Sequence, residues 1–118
     1  MLKKLLSIFI LLILIDSIWL YLIKDKYKVQ IEKIQKEPLN VNMYSVILFY
    51  VLLTAGIYLL LEDKDIINAF IFGLVTYGVY DFTNGALLKD WDFNLAIGDT
   101  IWGGILVAST VYILRKIE

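Results

Sequence analysis

Thr76-Tyr77-Gly78-Val79-Tyr80-Asp81-Phe82-Thr83-Asn84-Gly85 sets an acid and an amide one helical turn apart, within a segment apolar enough to cross a bilayer. Asp81 and Asn84 stand as i and i+3, so a helix presents them on one face. On insertion scales an acid at such depth costs about 2.5–3.5 kcal/mol, so it faces a bundle interior or a water-filled cavity rather than lipid. The stretch therefore reads as part of a transmembrane helix with a polar inner face, and that reading decides the fold class.

Working outward, the span carrying this stretch runs over about 66–88. Glu62-Asp63-Lys64-Asp65 before it is a turn short enough to make the flanking helices antiparallel neighbours. Ahead of that turn, 43–61 forms another span, with Thr54, Ala55 and Gly56 as its small residues. After the central span, Lys89-Asp90-Trp91-Asp92-Phe93-Asn94 makes a second short turn, where Trp91 and Phe93 suit the interfacial aromatic belt. The fourth span covers 95–114 and ends in Arg115 and Lys116. At the start of the chain, 5–23 is an apolar run broken only by Ser7, Asp16 and Ser17. A signal peptide has a shorter apolar core and a small-residue cleavage site, so 5–23 reads as a retained first span. Ala69 and Gly73 in the third span, and Gly104 and Ala108 in the fourth, are small residues four apart that allow close helix approach.

The segment 24–42 is the longest polar one and reads as an amphipathic loop. Tyr27, Ile31 and Ile34 recur at helical spacing among lysines, which fits a helical extension of the first span or a surface helix. A lid over the polar interior is the sharper alternative. Pro38 stops any helix here, and Asn40 or Asn42 can cap the next one. The predicted architecture is an all-α, up-and-down bundle of four transmembrane helices in one domain, an integral multi-pass membrane protein.

Composition agrees and narrows the chemistry. Hydrophobic residues make up 60% of 118 and mean hydropathy is +0.76, more apolar surface than so short a chain can bury in water. A net charge of -1 offers no attraction to nucleic acid, and lipid is the expected surrounding partner. Cysteine and histidine are both absent, which excludes disulfides, His-ligated haem, zinc sites built on His or Cys, and a Ser-His-Asp triad. No lysine lies inside a span, so a retinal Schiff base is excluded too. Lysines and arginines are nearly balanced between the two ends of the bundle, so the positive-inside rule assigns no orientation.

Within the spans the only ionisable acids are Asp16, Asp81 and Asp99. In an up-and-down topology Asp16 and Asp81 lie roughly 10 Å from the end of the bundle opposite the termini, and Asp99 roughly 6 Å from it. Three helices thus turn a carboxyl group toward the same half of the membrane. Trp19 follows Asp16 at i+3, Trp102 follows Asp99 at i+3, and Asn84 follows Asp81 at i+3. Tyr50 comes to similar depth on the second span, and Tyr77, at i−4, shares the face of Asp81 better than Tyr80 does. Asp16, Trp19, Tyr50, Tyr77, Asp81, Asn84, Asp99 and Trp102 are therefore the candidate pocket. The plainer readings are interfacial anchoring for the tryptophans and interhelical hydrogen bonding for the acids.

With no Lys, Arg or His within the spans, burial disfavours the charged carboxylates. The acids then hold protons, bind an ion through oxygen ligands, or pair with a cationic ligand. An all-oxygen set of Asp16, Asp81 and Asp99 would suit Mg²⁺, Ca²⁺ or Mn²⁺.

The motifs Asp16-Ser17-Ile18-Trp19-Leu20, Phe49-Tyr50, Tyr77-Gly78-Val79-Tyr80-Asp81-Phe82-Thr83-Asn84, Trp91 and Asp99-Thr100-Ile101-Trp102-Gly103 resemble those of domain of unknown function 2177. That is a family of small predicted integral membrane proteins, and the resemblance covers nearly the whole chain. It implies a four-helix membrane protein and points to the same acids, without supplying an activity. Gly85 and Tyr21 depart from the family pattern and concern local packing.

Three functions compete on these observations. The first is binding or transport of a proton, a divalent cation or a cationic amphipath, for which so narrow a bundle would call for a homo-oligomer. The second is a membrane enzyme acting on a lipid or isoprenoid, with the carboxyl groups as general acid and base or as holders of a divalent ion. The third is an assembly subunit whose polar cluster only sets helix order. An apolar slot reaching the acids would favour the enzyme, wet access from either side the transporter, and mutually bonded acids the assembly role.

Overall fold

The computed structural model describes residues 1–118 and contains four helices and no strand. They are α1 (Leu2–Gln35), α2 (Met43–Leu60), α3 (Ile66–Leu87) and α4 (Phe93–Ile117). Each is long and apolar enough to cross a membrane. The chain folds as an up-and-down bundle. Pairs between α1 and the α4 end of the chain run in opposite senses, from Lys4–Glu118 through Asp16–Trp102 and Trp19–Asp99 to Gln30–Asp92.

Only 23 of 118 residues are buried, and the exterior carries rows such as Leu6, Ile10, Leu14, Ile18 and Leu22 along α1. A surface of that kind is stable only where the surroundings are themselves apolar. The interior is a short apolar column of Ile8, Leu12, Leu53, Ile57, Leu106, Val107 and Val111 beneath the polar residues described below.

Small residues set the α3–α4 distance. A Cβ added to Gly73 would come within 1.9 Å of the Gly103 carbonyl oxygen, and one added to Gly103 would meet Tyr77 Cγ at 2.4 Å. Backbones that approach so closely gain the van der Waals contact that replaces hydrophobic driving force in lipid. Ala69 and Gly73 lie in this seam as expected from their spacing, whereas on α4 the closest approach falls at Gly103. Gly104 instead lies under the Phe70 ring, and Ala108 is half-buried.

Of the readings open for 24–42, the structure takes the helical extension of the first span over 24–35 and a loop only beyond it. Residues 24–35 continue α1 without a break, and only Lys36 to Asn42 connect to α2. The helix ends where Lys36 takes a left-handed conformation (φ 59°) and returns its N–H to the Glu32 carbonyl, two residues before Pro38. Asn42 then caps α2 by accepting the Ser45 N–H at 3.2 Å. The extension is helical because it has something to pack on. Gln30, buried, accepts the Asp92 N–H, Lys33 lies 3.8 Å from Asp90, and Tyr27 packs edge-on against Trp91. The end of α1 is thus fastened to the α3–α4 turn.

At the opposite end, Arg115 donates to the carbonyls of Leu61, Glu62 and Lys64 at the end of α2 and in the turn after it. Lys4 bridges Glu62 at 2.8 Å and Glu118 at 3.2 Å.

Candidate functional site

The antiparallel register of α1 and α4 puts two Asp-x-x-Trp segments side by side in opposite directions. Asp16 therefore comes level with Trp102, and Trp19 with Asp99. The indole N–H of Trp102 donates to Asp16 Oδ1 at 2.8 Å, and that of Trp19 donates to Asp99 Oδ1 at 2.9 Å. Between the two bonds the indoles stack, with centroids 5.6 Å apart and planes 11° apart. An indole nitrogen only donates and a carboxylate only accepts, so each helix supplies what the other needs. Both tryptophans are half-buried, with their indole N–H groups turned into the bundle.

The two ends of this clasp have different third neighbours. Asp16 is 4% exposed, and its Oδ2 accepts the Tyr50 hydroxyl of α2 at 2.5 Å. Each of its oxygens thus has a donor. Asp99, 8% exposed, has the carboxyl group of Asp81 within hydrogen-bonding reach. Asp81 is the most deeply buried acid, 1% exposed, and its Oδ2 has no hydrogen-bond partner. Gly78, one turn along α3, lets α4 close in here: a Cβ there would be 3.1 Å from Thr100 Cγ2.

Tyr77 and Tyr80 divide as their spacing from Asp81 requires. Tyr77 is buried with an unpartnered hydroxyl, its ring edge-on to Phe49 at 5.9 Å and seated over Gly103. Tyr80 turns toward α1 and meets Tyr27 hydroxyl to hydroxyl at 2.5 Å. Asn84 is half-buried and makes no side-chain hydrogen bond with either carboxyl group of the pair. Trp91 lies edge-on to both Tyr27 and Tyr80, with its indole nitrogen buried and unpartnered. It is half-buried and packed into the bundle end.

The structure thus brings Asp16, Trp19, Tyr50, Asp99 and Trp102 into one bonded network, with Asp81 and Tyr77 against it and Asn84 at its margin. Sequence reasoning missed Tyr27 and Gln30 as neighbours of this region. Their signal is present: with Ile23 they lie at i, i+4 and i+7, the inner face of a continued α1.

The expectation of an Mg²⁺, Ca²⁺ or Mn²⁺ site on Asp16, Asp81 and Asp99 does not fit this geometry. No group of three or more acids is arranged to hold a metal ion. The physical reason lies in the donors. The Trp102 N–H and the Tyr50 O–H already engage both Asp16 oxygens, and the Trp19 N–H engages Asp99 Oδ1.

The model of a family described as "Predicted membrane protein (DUF2177)" matches residues 1–114. The chain belongs to that family. Its four spans make it an integral, multi-pass membrane protein. No curated protein and no solved structure matches the chain.

Proposed function

We propose that this protein binds an exchangeable proton on the Asp81–Asp99 carboxyl pair, within the membrane, and that proton uptake or transfer is its chemical role. The observation that carries the reading is a 1% exposed Asp81 set against a second carboxyl group, with one oxygen unpartnered. Two carboxyl groups in contact, away from water and from any cationic side chain, repel when both are charged and hydrogen-bond when they share a proton. Trp19 donates to the pair at Asp99, and no Lys, Arg or His lies within any span to neutralise it. A proton needs no cage and no slot, so it suits a four-helix bundle better than a metal ion or an amphipath does.

Asp16 favours a second reading for its own part of the network. With a donor on each oxygen it behaves as an assembly element, tying α1 to α2 and α4. The membrane-enzyme reading gains no comparable observation.

Infrared spectroscopy of the protein in lipid nanodiscs tests the proposal. The wild type is expected to show a protonated-carboxyl C=O band that responds to pH and to deuterium exchange, and Asp81→Asn is expected to remove it. A band left unchanged by Asp81→Asn and by Asp99→Asn would overturn the assignment.

A further inference from the structure

Resting on the carboxyl-pair reading above, we infer that the stretch of α1 from Tyr27 to Lys33 is a lid, whose release lets water from that end of the bundle reach the buried acids. Paired contacts between α1 and α4 fix its place. Trp19 donates to Asp99 Oδ1 at 2.9 Å, and Gln30, farther along α1, accepts the N–H of Asp92, at the start of α4. Between those two levels stand Ile23 of α1, 7% exposed, and Ala96 of α4, 2% exposed. At 1.5 Å per residue, Tyr27 lies about 12 Å beyond Trp19 along the helix axis. The lid thus closes over one packed layer, with Asp99 and Asp81 buried beneath it.

Two elements receive the lid. Tyr27 meets Tyr80 hydroxyl to hydroxyl at 2.5 Å, which ties the lid to α3 at the residue before Asp81. Gln30 and Lys33 tie it to the α3–α4 turn, through the Asp92 N–H and the Asp90 carboxylate at 3.8 Å. Trp91 of that turn stands edge-on to both tyrosines, with ring centroids at 6.0 Å from Tyr27 and 6.2 Å from Tyr80.

These ties are few and mostly polar. Past Ile23 the only buried residue of α1 is Gln30, and the Lys33–Asp90 pair is open to water. A segment that buries so little apolar surface opens locally at small cost, while the spans stay folded. The closed position also leaves the Trp91 indole nitrogen buried without a partner. Opening gives that N–H a water, which offsets part of the bonds broken. Closed, the lid keeps water from the carboxyl pair; open, it admits the water that delivers or removes the proton.

The chain contains no cysteine, so one introduced thiol reports on one level of the bundle. In nanodiscs, Ile23→Cys is labelled with a water-soluble trimethylammonium methanethiosulfonate, and Ala96→Cys reports on the same level from α4. Val29→Cys, at a position 66% exposed on the extension, gives the rate of an open site. With the ties intact, both buried thiols are expected to react far more slowly than Val29→Cys. Tyr27→Phe combined with Gln30→Ala removes two of the bonds and is expected to speed their labelling about tenfold. Glu62→Gln, which breaks an ion pair at the opposite end, is expected to leave it unchanged. Near-UV circular dichroism checks that each variant is folded. Buried thiols that react as fast as Val29→Cys from the start, equal rates with and without the ties, or the same rise in Glu62→Gln would overturn the lid.

Infrared spectroscopy of Tyr27→Phe with Gln30→Ala, without an introduced thiol, reads the pair itself. Deuterium exchange of the protonated-carboxyl band is expected to quicken by a similar factor, and unchanged exchange would overturn the lid's role toward the pair. Failure of the carboxyl-pair reading is distinguishable, because it shows as a band that ignores Asp81→Asn and Asp99→Asn while the labelling result stands.

Discussion

Asp16 and Asp99 occupy equivalent ends of one clasp, and the contrast between them says most about this molecule. Each begins an Asp-x-x-Trp segment, each is buried, and each accepts one indole N–H from the opposite helix. They differ in the third neighbour. Asp16 meets a hydroxyl that can only help it, whereas Asp99 meets a second acid whose outer oxygen is left unpartnered. One end is satisfied and holds helices together. The other is a polar group kept at a cost, which is where chemistry is to be sought.

Replacing each acid by its amide is the most direct way to break this comparison. Asp16→Asn offers one accepting oxygen where Asp16 offers two, so either the Trp102 N–H or the Tyr50 O–H loses its acceptor. We expect a loss of about 1–3 kcal/mol, the cost of a buried unsatisfied group. Asp81→Asn keeps a hydrogen-bond donor toward Asp99 in place of the shared proton and should cost under about 0.5 kcal/mol or stabilise. Reversible unfolding in mixed micelles measures both. Equal losses at the two sites would end the division into a holding end and a working end.

The second experiment sharpens the comparison by making the two ends alike. Tyr50→Phe keeps the ring packed on Phe9 and Phe49 but removes the hydroxyl from Asp16. Intramembrane hydrogen bonds of this kind average about 0.6 kcal/mol, so the stability loss should be near that figure. The more telling result is spectroscopic. Asp16, deprived of the donor that distinguishes it, should add a second protonated-carboxyl band to that of the Asp81–Asp99 pair. An unchanged infrared spectrum would mean that Tyr50 does not set the difference.

How much of this is legible in the sequence depends on how local the cause is. The helix faces are legible: Asp16 with Trp19, Asp99 with Trp102 and Tyr77 with Asp81 follow from i+3 and i−4 spacing alone. The exchange of partners across the clasp is not. It depends on the relative height of α1 and α4, set by loops and by the close contact of Gly73 with Gly103. The same holds for the metal reading, since depth brings carboxyl groups to one level but says nothing of the donors already aimed at them. The helical spacing of Tyr27, Ile31 and Ile34 allows residues 24–35 to extend the first span, but what they pack on is not legible: Gln30, Lys33 and Tyr27 dock on a turn some 60 residues away.

The smallest effect is expected at the opposite end of the bundle, and it tests whether burial is what gives the clasp its weight. Lys4 and Glu62 form an ion pair at 2.8 Å, but Glu62 is half exposed and water screens the pair. The Lys4 hydrogen bond holds the Glu62 carboxyl below its ordinary 4.5, and that bond raises the Lys4 ammonium above its ordinary 10.5. On the acid side the pair's contribution is present above 4.5 and is lost as pH falls through the lowered folded value. On the alkaline side it is complete below 10.5 and is lost as pH rises through the raised one. Between those limits Glu62→Gln should lower the unfolding midpoint only slightly, and raised salt should erase the difference from wild type. Asp16→Asn should keep its full penalty at that same salt, because its partners are out of water's reach. If salt rescued Asp16→Asn as readily as Glu62→Gln, the clasp would be no better shielded than the surface, and the argument from burial would fail at both ends.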